Sequence, residues 1–167
     1  MPQNKPLSAG ETSWSLLTDE GGDTEIACGG LVVRAKAALT LLIGDAVWIS
    51  GDGTVSKTAV AADHQKAAGL VIGGRAFGRS AVQRQNDVGV QAGLVNEEIY
   101  VCVLGLCWGV AQAAIVAGAV VKPDVTTAGR LLTAVLGAGA DEGKNIGKAW
   151  TAAAGVASKF IVLVGSV

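Results

Sequence analysis

The sequence has few of the side chains on which most enzyme chemistry depends. Its 167 residues include one histidine, His64, and three cysteines. A single histidine excludes a metal site with two His ligands, and it leaves acid–base chemistry to that residue or to carboxylates. Asp63 precedes His64, but adjacent residues of a helix or strand point in different directions. We therefore expect no catalytic site and no enzyme, with an Asp63–His64 enzyme as an alternative.

Nucleotide-binding motifs are also missing. Gly143-Lys144 lacks both the glycine five residues earlier and the hydroxyl residue that follows in a phosphate-binding loop. Gly137 and Gly139 are followed by Glu142 where a dinucleotide-binding turn has its third glycine, and acidic side chains there repel a pyrophosphate. The sequence thus predicts no cofactor, no metal site and no small-molecule substrate.

The chain lacks a surplus of either charge. Thirteen basic and fourteen acidic residues give a net charge of −1, whereas proteins that bind nucleic acid or anionic membranes by charge are basic. Three cysteines give no even disulfide framework. Cys102 and Cys107 lie in a run that we interpret as extended, so their separation of about 16 Å exceeds the reach of a disulfide. We expect free, buried thiols, made in a reducing cytoplasm.

One uncharged stretch, Val101–Val121, is long enough to span a membrane as a helix. Its glycines, Gly105, Gly109 and Gly118, disfavour a helix, and the flanking charges show no positive-inside asymmetry. Residues 1–10 are polar and lack the apolar core of a signal peptide. We expect no membrane contact, and an integral membrane protein stays an alternative.

Glycine and short apolar runs are what the sequence has in abundance. Glycine accounts for 24 residues, about twice the usual share. It separates runs such as Leu39–Ile43, Ala46–Ile49, Leu70–Ile72 and Ile99–Leu106, a pattern typical of all-β folds. Asp52-Gly53 predicts a tight hairpin turn. We predict an all-β protein, a compact β-barrel or β-sandwich, with a core of Ala, Val, Leu and Ile because aromatic residues are scarce.

Two other features complete the predicted organisation. Ala59–Ala68 and Ala149–Ala157 are rich in helix-forming residues and predict one or two short helices. Residues 1–25 are polar and predict an extended N-terminal arm, long enough to reach a neighbouring subunit. Residues 26–167 then form a β-rich domain.

That domain contains a loose internal duplication. Gly44, Gly53 and Gly69 recur as Gly118, Gly129 and Gly147, each followed by a short apolar run. The spacings are 9 and 16 residues in the first copy and 11 and 18 in the second. We interpret the two copies as β-hairpin units in which Gly69 and Gly147 pass a neighbouring strand closely.

Candidate protein-interface residues come from the arm and from one basic run. Tryptophan and leucine in a polar arm suggest contact with another surface, and a short run of arginines suits the rim of a contact with an acidic protein. These candidates are Trp14, Leu16, Leu17, Arg75, Arg79 and Arg84. Three further tryptophans, Trp48, Trp108 and Trp150, are expected to fill the core with their indole N–H groups bonded to carbonyls, or one of them to anchor a subunit interface.

The order of motifs resembles that of the small capsid decoration, or cement, proteins of tailed bacteriophages. The first half carries Gly44-Asp45-Ala46-Val47, Asp52-Gly53-Thr54-Val55 and Ala68-Gly69-Leu70-Val71 in sequence. The second half continues it with Gly129-Arg130-Leu131 and Ile146-Gly147-Lys148-Ala149, although Gly118-Ala119 replaces the Gly-Asp of the first half. The resemblance covers about residues 30–167.

The resemblance implies a compact β-barrel or β-sandwich that binds the outer surface of the major capsid protein lattice and stabilises the head. It implies a homotrimer on the virion without a catalytic site. The balanced charge adds the expectation of no nucleic-acid partner, and the glycines of Val101–Val121 that of no membrane. Another virion component, such as a head-fibre base or a tail-associated β domain, is the alternative function.

Overall fold

The computed structural model describes residues 16–18, 24–27, 30–58, 67–77, 82–135 and 144–165. Within these ranges the chain is almost entirely β-structure, which confirms the predicted all-β fold class. The strands are β1 (Leu16–Thr18), β2 (Thr24–Ala27), β3 (Leu31–Ala37), β4 (Leu41–Leu42), β5 (Ala46–Gly51), β6 (Thr54–Ser56), β7 (Ala67–Gly74), β8 (Val82–Arg84), β9 (Gln91–Gly93), β10 (Glu98–Val110), β11 (Val120–Pro123), β12 (Leu131–Thr133), β13 (Gly147–Ala149) and β14 (Lys159–Val164).

Five strands close into a barrel, which we call the first barrel. Its strand order is β10-β3-β6-β5-β7, and β7 pairs again with β10. All neighbours are antiparallel except β3 and β6, where Lys36 and Ala37 pair in parallel with Thr54 and Val55. The predicted hairpin turn at Asp52-Gly53 joins β5 to β6, with Gly53 at φ +66° as such a turn requires.

A second ring of five strands repeats this order, and we call it the second barrel. Strand β10 is 13 residues long, and its C-terminal half, residues 105–110, pairs with β14. The order continues through β13, β11 and β12. The ring closes by a parallel bridge between Ala111 and Leu131, in the place that the β3–β6 pair takes in the first barrel.

Matching residues of the two barrels make matching backbone hydrogen bonds. The N–H of Gly44 donates to the Val71 carbonyl, and that of Gly118 donates to Ala149, both at 2.7–2.8 Å. Both glycines have positive φ, +90° and +86°. Added side chains at Gly69 and Gly147 would overlap the carbonyl oxygens of the neighbouring strands β10 and β14. The two barrels therefore share one backbone plan, including the close strand approaches that require glycine.

The second predicted helix is wrong. Ala149 ends β13, and residues 150–157 continue through bends, a bridge between Ala153 and Ile115, and a turn in which Ala157 has φ +63°. Ala153 is buried at this bridge. Of the first predicted helix, residues 59–66 lie outside the described part of the chain, and Ala67 and Ala68 begin β7. The described helical structure is a single 3₁₀ turn, Gln85–Asp87.

The described part of the predicted arm lies on the same chain. Strands β1 and β2 form an antiparallel pair, and β2 pairs with β8 through Glu25–Arg84, Ile26–Gln83 and Ala27–Val82. The predicted boundary at residue 25 thus falls within β2, while residues 1–15 lie outside the described residues. The division into arm and domain, and the arm's reach to a neighbouring subunit, stay predictions.

Each barrel has its own aliphatic core. The first barrel encloses Leu41, Val47, Val71, Ile99 and other aliphatic side chains. The second encloses side chains from β11 to β14, and the same cluster also takes in Ala46, Leu70, Ile72 and Cys102 from the outer face of the first barrel. The two barrels therefore pack directly against each other. Cys102 and Cys107 are buried and not joined by a disulfide, as predicted.

Candidate interaction surfaces

The described residues hold no metal-ligand cluster. No group of three or more His, Cys, Asp or Glu side chains comes together in the part of the chain that the structure covers. Asp63 and His64, the pair considered for an enzyme, lie outside the described residues. Val101–Val121, considered as a membrane helix, is instead the rest of β10, a turn and the start of β11. None of the described helical structure is both long and apolar enough to span a bilayer.

The predicted interface residues are spread over different parts of the fold. Leu16 and Leu17 are on β1 and the exposed Arg84 ends β8, in one three-stranded sheet where Leu17 and Arg84 both pair with Glu25 of β2. Trp14 and Arg79 lie outside the described residues. Arg75 is exposed just after β7, a strand of the first barrel. The described candidates thus fall in two places, the sheet of β1, β2 and β8 and the first barrel.

Arg75 lines an open polar groove of about 500 Å³ on the first barrel. Arg34, Lys36 and Arg75 supply its positive charges, and Asp52, Glu97 and Glu98 supply matching negative ones. The Arg34 guanidinium and the Glu98 carboxylate are 4.0 Å apart and well exposed, so their ion pair adds little stability. Balanced, exposed charges suit a contact with another protein better than the binding of a phosphate group.

An apolar groove of about 380 Å³ lies beside it, at one end of the first barrel. It is lined by Val33, Ala35, Ile49, Val55 and further residues from β7 and β10. Val33 is 38% exposed and Ile49 is 49% exposed. The inward-facing side chains of this barrel therefore continue to an end that nothing in the described chain covers. We call this opening the apolar groove.

The corresponding end of the second barrel is covered. Cys107 and Gly109 take the places of Val33 and Ala35 in the strand register, and both are buried. The cover is the outer face of the first barrel, whose Leu70 contributes a side chain to this core. The Leu70 Cδ1 atom would lie 3.5 Å from a Cβ atom placed on Gly109. Leu70 thus fills the end of the second barrel, whereas the corresponding end of the first barrel stays open.

The three tryptophans considered for the core have different positions. Trp48 and Trp108 are buried, but their indole N–H groups have no hydrogen-bond acceptor among the described residues, so the expected bonds to carbonyls are wrong. Trp150 is 50% exposed directly after β13. By register it matches the buried Ile72 of the first barrel, because Lys148 and Leu70 hold the same place in their sheets. Trp150 is therefore the tryptophan available to a partner.

A partly buried ion pair lies where the two barrels meet. The Asp45 carboxylate accepts a hydrogen bond of 2.9 Å from the Leu42 N–H and lies 3.4 Å from the Lys57 ammonium. Burial raises the pKa of Asp45, although both of these neighbours act in the opposite direction. A side chain at Gly129 would overlap the carboxylate, and Ala46 donates a backbone hydrogen bond of 2.9 Å to the Gly129 carbonyl. The backbone hydrogen bond between Ala46 and Gly129 thus joins the two barrels beside this ion pair.

Sequence comparisons do not place the chain in a family. No family model matches it, and no curated protein matches it either. Function therefore has to be argued from these surfaces and from the motif resemblance.

Sequence reasoning missed the apolar groove, and it left open which of Trp48, Trp108 and Trp150 is available at an interface. Val33 and Cys107 hold matching places and are both apolar, so their pattern cannot tell which one is covered. The duplication was the signal that could have helped. Each barrel has an outer face and an end that can contact another barrel. The contact within the chain uses one face and one end, so the other face and the other end have no partner within the described chain.

Proposed function

We propose that the protein is a non-enzymatic structural component of a phage virion. It binds the outer surface of the major capsid protein lattice as a homotrimer and stabilises the head. It is made in the host cytoplasm, and it requires no cofactor, nucleic acid, membrane or small-molecule substrate. The motif order in residues 30–167 gives the class of protein, and the exposed apolar surfaces support it.

The observation that carries the proposal is the number of large apolar side chains on the surface of so small a chain. Exposed contiguous apolar surface on a soluble protein marks contact with another protein. The apolar groove with Val33 and Ile49 is such a surface. The described part of the chain exposes further large apolar side chains on both barrels: Leu31, Val90, Leu94, Val95, Leu104, Val116, Val125, Val135, Trp150 and Val156. The surface is therefore suited to adhesion.

The energetics of such a role are favourable. A contact of standard size buries about 800 Å² per partner, a gross gain of roughly 20 kcal/mol at ~25 cal/mol per Å² before ordering and association costs. A trimer binds a lattice through three such contacts at once, so each later contact forms at high effective concentration. Modest contacts can thus hold a shell against internal pressure.

The direct test uses heads of the phage that encodes the chain, assembled without its gene. Added protein is expected to sediment with the heads, to saturate at a copy number close to that of the major capsid protein, and to raise the temperature at which the heads open. Failure to sediment with the heads would refute the proposal. Saturation at a few copies per head would instead favour the head-fibre or tail component.

The arm provides a more specific prediction. Deleting residues 2–20 removes β1 and leaves β2 paired with β8. We expect a folded protein by circular dichroism that no longer sediments with heads, because strand addition by the arm contributes to binding. Full retention on the heads would refute the arm's role.

Arg75 tests the basic contribution to the same contact. Reversing its charge with Arg75→Glu is expected to weaken head binding about tenfold, because it places a carboxylate against an acidic surface. Arg75→Lys retains the charge and is the control. Equal binding by both variants would show that Arg75 lies outside the contact.

A further inference from the structure

The contact between the two barrels is directional. The outer face of the first barrel, formed by Ala46, Leu70 and Ile72, covers the end of the second barrel. Their counterparts by register on the second barrel are Val120, Lys148 and Trp150, which we call the Trp150 face. The contact within each chain thus uses the outer face of the first barrel and the end of the second barrel. The outer face of the second barrel and the end of the first barrel stay available for another partner.

These two remaining surfaces are the apolar groove and the Trp150 face. Trp150 and Lys148 are exposed, and the nearby turn exposes Val116 as well. The Val116 carbonyl accepts a hydrogen bond from Ala119, whose own carbonyl accepts one from Ala149, so this turn adjoins Trp150 in the fold. One surface is concave and apolar, and the other is convex and combines Trp150 and Val116 with the exposed Lys148.

We infer that the Trp150 face of one copy docks in the apolar groove of a second copy. The joint between the barrels within one chain is the precedent, because it seats the matching face on the matching barrel end. This is a heterologous contact, since different patches of the two copies meet, and such contacts form closed rings when the rotation permits. The inference specifies the contact by which copies of the chain associate. It rests on the proposed function for the number of copies, three.

Two sequence differences show how the contact between copies departs from the internal joint. Gly109 leaves a notch for Leu70, whereas Ala35 fills the same place in the apolar groove. Lys148 replaces Leu70 on the Trp150 face, so the deep plug is absent there. The broad indole of Trp150 covers a shallow apolar opening well, and tryptophan is enriched among residues that dominate binding. Trp150 is therefore the main anchor.

The experiment measures the mass of the full-length protein in solution by light scattering during size-exclusion chromatography. The wild type is expected to be a trimer. Trp150→Lys damages the face, and Ile49→Lys damages the groove; each is expected to give a monomer. Val95→Lys is the control, because Val95 is 52% exposed in the turn after β9 and lines neither the apolar groove nor the Trp150 face. Circular dichroism and melting temperature verify that each variant is folded.

Mixing the two damaged variants tests the direction of the contact. Each retains one intact surface, so an equimolar mixture is expected to form a one-to-one dimer and nothing larger. A monomeric wild type, an unchanged mass for either damaged variant, or a mixture that stays monomeric would overturn the inference. If Ile49→Lys does not fold, Val33→Lys replaces it in the same groove.

Head binding separates this inference from the proposed function. A wild-type trimer that fails to bind heads would refute the capsid role and leave the contact between copies standing. A wild-type monomer that binds heads would refute the contact and leave the capsid role standing.

Discussion

The two barrels follow the same backbone plan and have opposite surroundings. In the second barrel, Leu70 of the first barrel fills the corresponding end, and Cys107 and Pro123, the counterparts of Val33 and Ile49, are buried. In the first barrel, the matching end is a groove with Val33 and Ile49 exposed. The side chains at these places are apolar in both barrels, so the difference arises from position in the chain. A duplicated unit therefore gains a binding surface simply by being the first of two.

The largest expected loss of stability comes from substituting the glycines at which both barrels bring two strands close together. Gly69→Ala and Gly147→Ala each place a methyl group on a carbonyl oxygen of the neighbouring strand. Because backbone cannot move aside cheaply, each is expected to lower the free energy of unfolding by about 3 kcal/mol or more. Urea denaturation measures this. Gly155→Ala is the control, since its added Cβ would meet no atom within 4 Å and the change should stay within about 0.5 kcal/mol.

A comparable or smaller loss of stability is expected at Leu70, which fills the end of the second barrel, and almost none at its counterpart Lys148. Leu70→Ala removes a fully buried side chain from the joint and is expected to cost about 3 kcal/mol of unfolding free energy. Lys148→Ala, at the matching place in the second barrel, is expected to change it by less than about 0.5 kcal/mol because Lys148 is exposed. Equal costs for the two substitutions would contradict the directional joint.

The smallest effect concerns the hairpin loops that follow β5 and β11. Asp124 accepts hydrogen bonds of 2.8–3.1 Å from Thr126 and Thr127. Burial acts to raise its pKa, but these bonds outweigh burial and lower it. The matching residue of the first barrel, Ser50, has only a hydroxyl contact of 3.3 Å with Thr54. Asp124→Asn is therefore expected to cost about 1 kcal/mol at neutral pH, and Ser50→Ala less than about 0.5 kcal/mol.

The pH dependence of Asp124 has a definite sign. A lowered pKa in the folded state stabilises the fold at pH above the ordinary value of 3.8, and this contribution is lost as the pH falls through the folded pKa. The gap in unfolding free energy between wild type and Asp124→Asn should therefore shrink on acidification below pH 3.8. A gap that stays constant down to pH 2, or that grows, would contradict this assignment.

The sequence was sufficient for the fold class and for the turns. Short apolar runs separated by glycine predicted β-structure, and Asp52-Gly53 predicted its hairpin, because both signals depend on local backbone preference. The paired glycines have two different causes. Gly44, Gly53, Gly118 and Gly129 have positive φ, whereas Gly69 and Gly147 lack room for a side chain beside a neighbouring strand.

The errors came from signals that tertiary contacts override. Alanine in residues 149–157 favours a helix in isolation, but the chain there forms a bridge to Ile115. The surfaces could not be predicted either, because Ile72 and Trp150 hold matching places and only the second stays exposed. Which copy is covered depends on how the barrels pack, and a single sequence does not record that packing.

Strand β10 has one further consequence for any assembly of copies. Its 13 residues run from one barrel into the other as one strand, with a register shift between Cys102 and Leu104 and with Gly105 at φ +129° where the pairing with β14 begins. We expect this shared strand to set the angle between the two barrels. If copies join end to end, this strand fixes the curvature of the chain of subunits, and hence how many of them complete a circle.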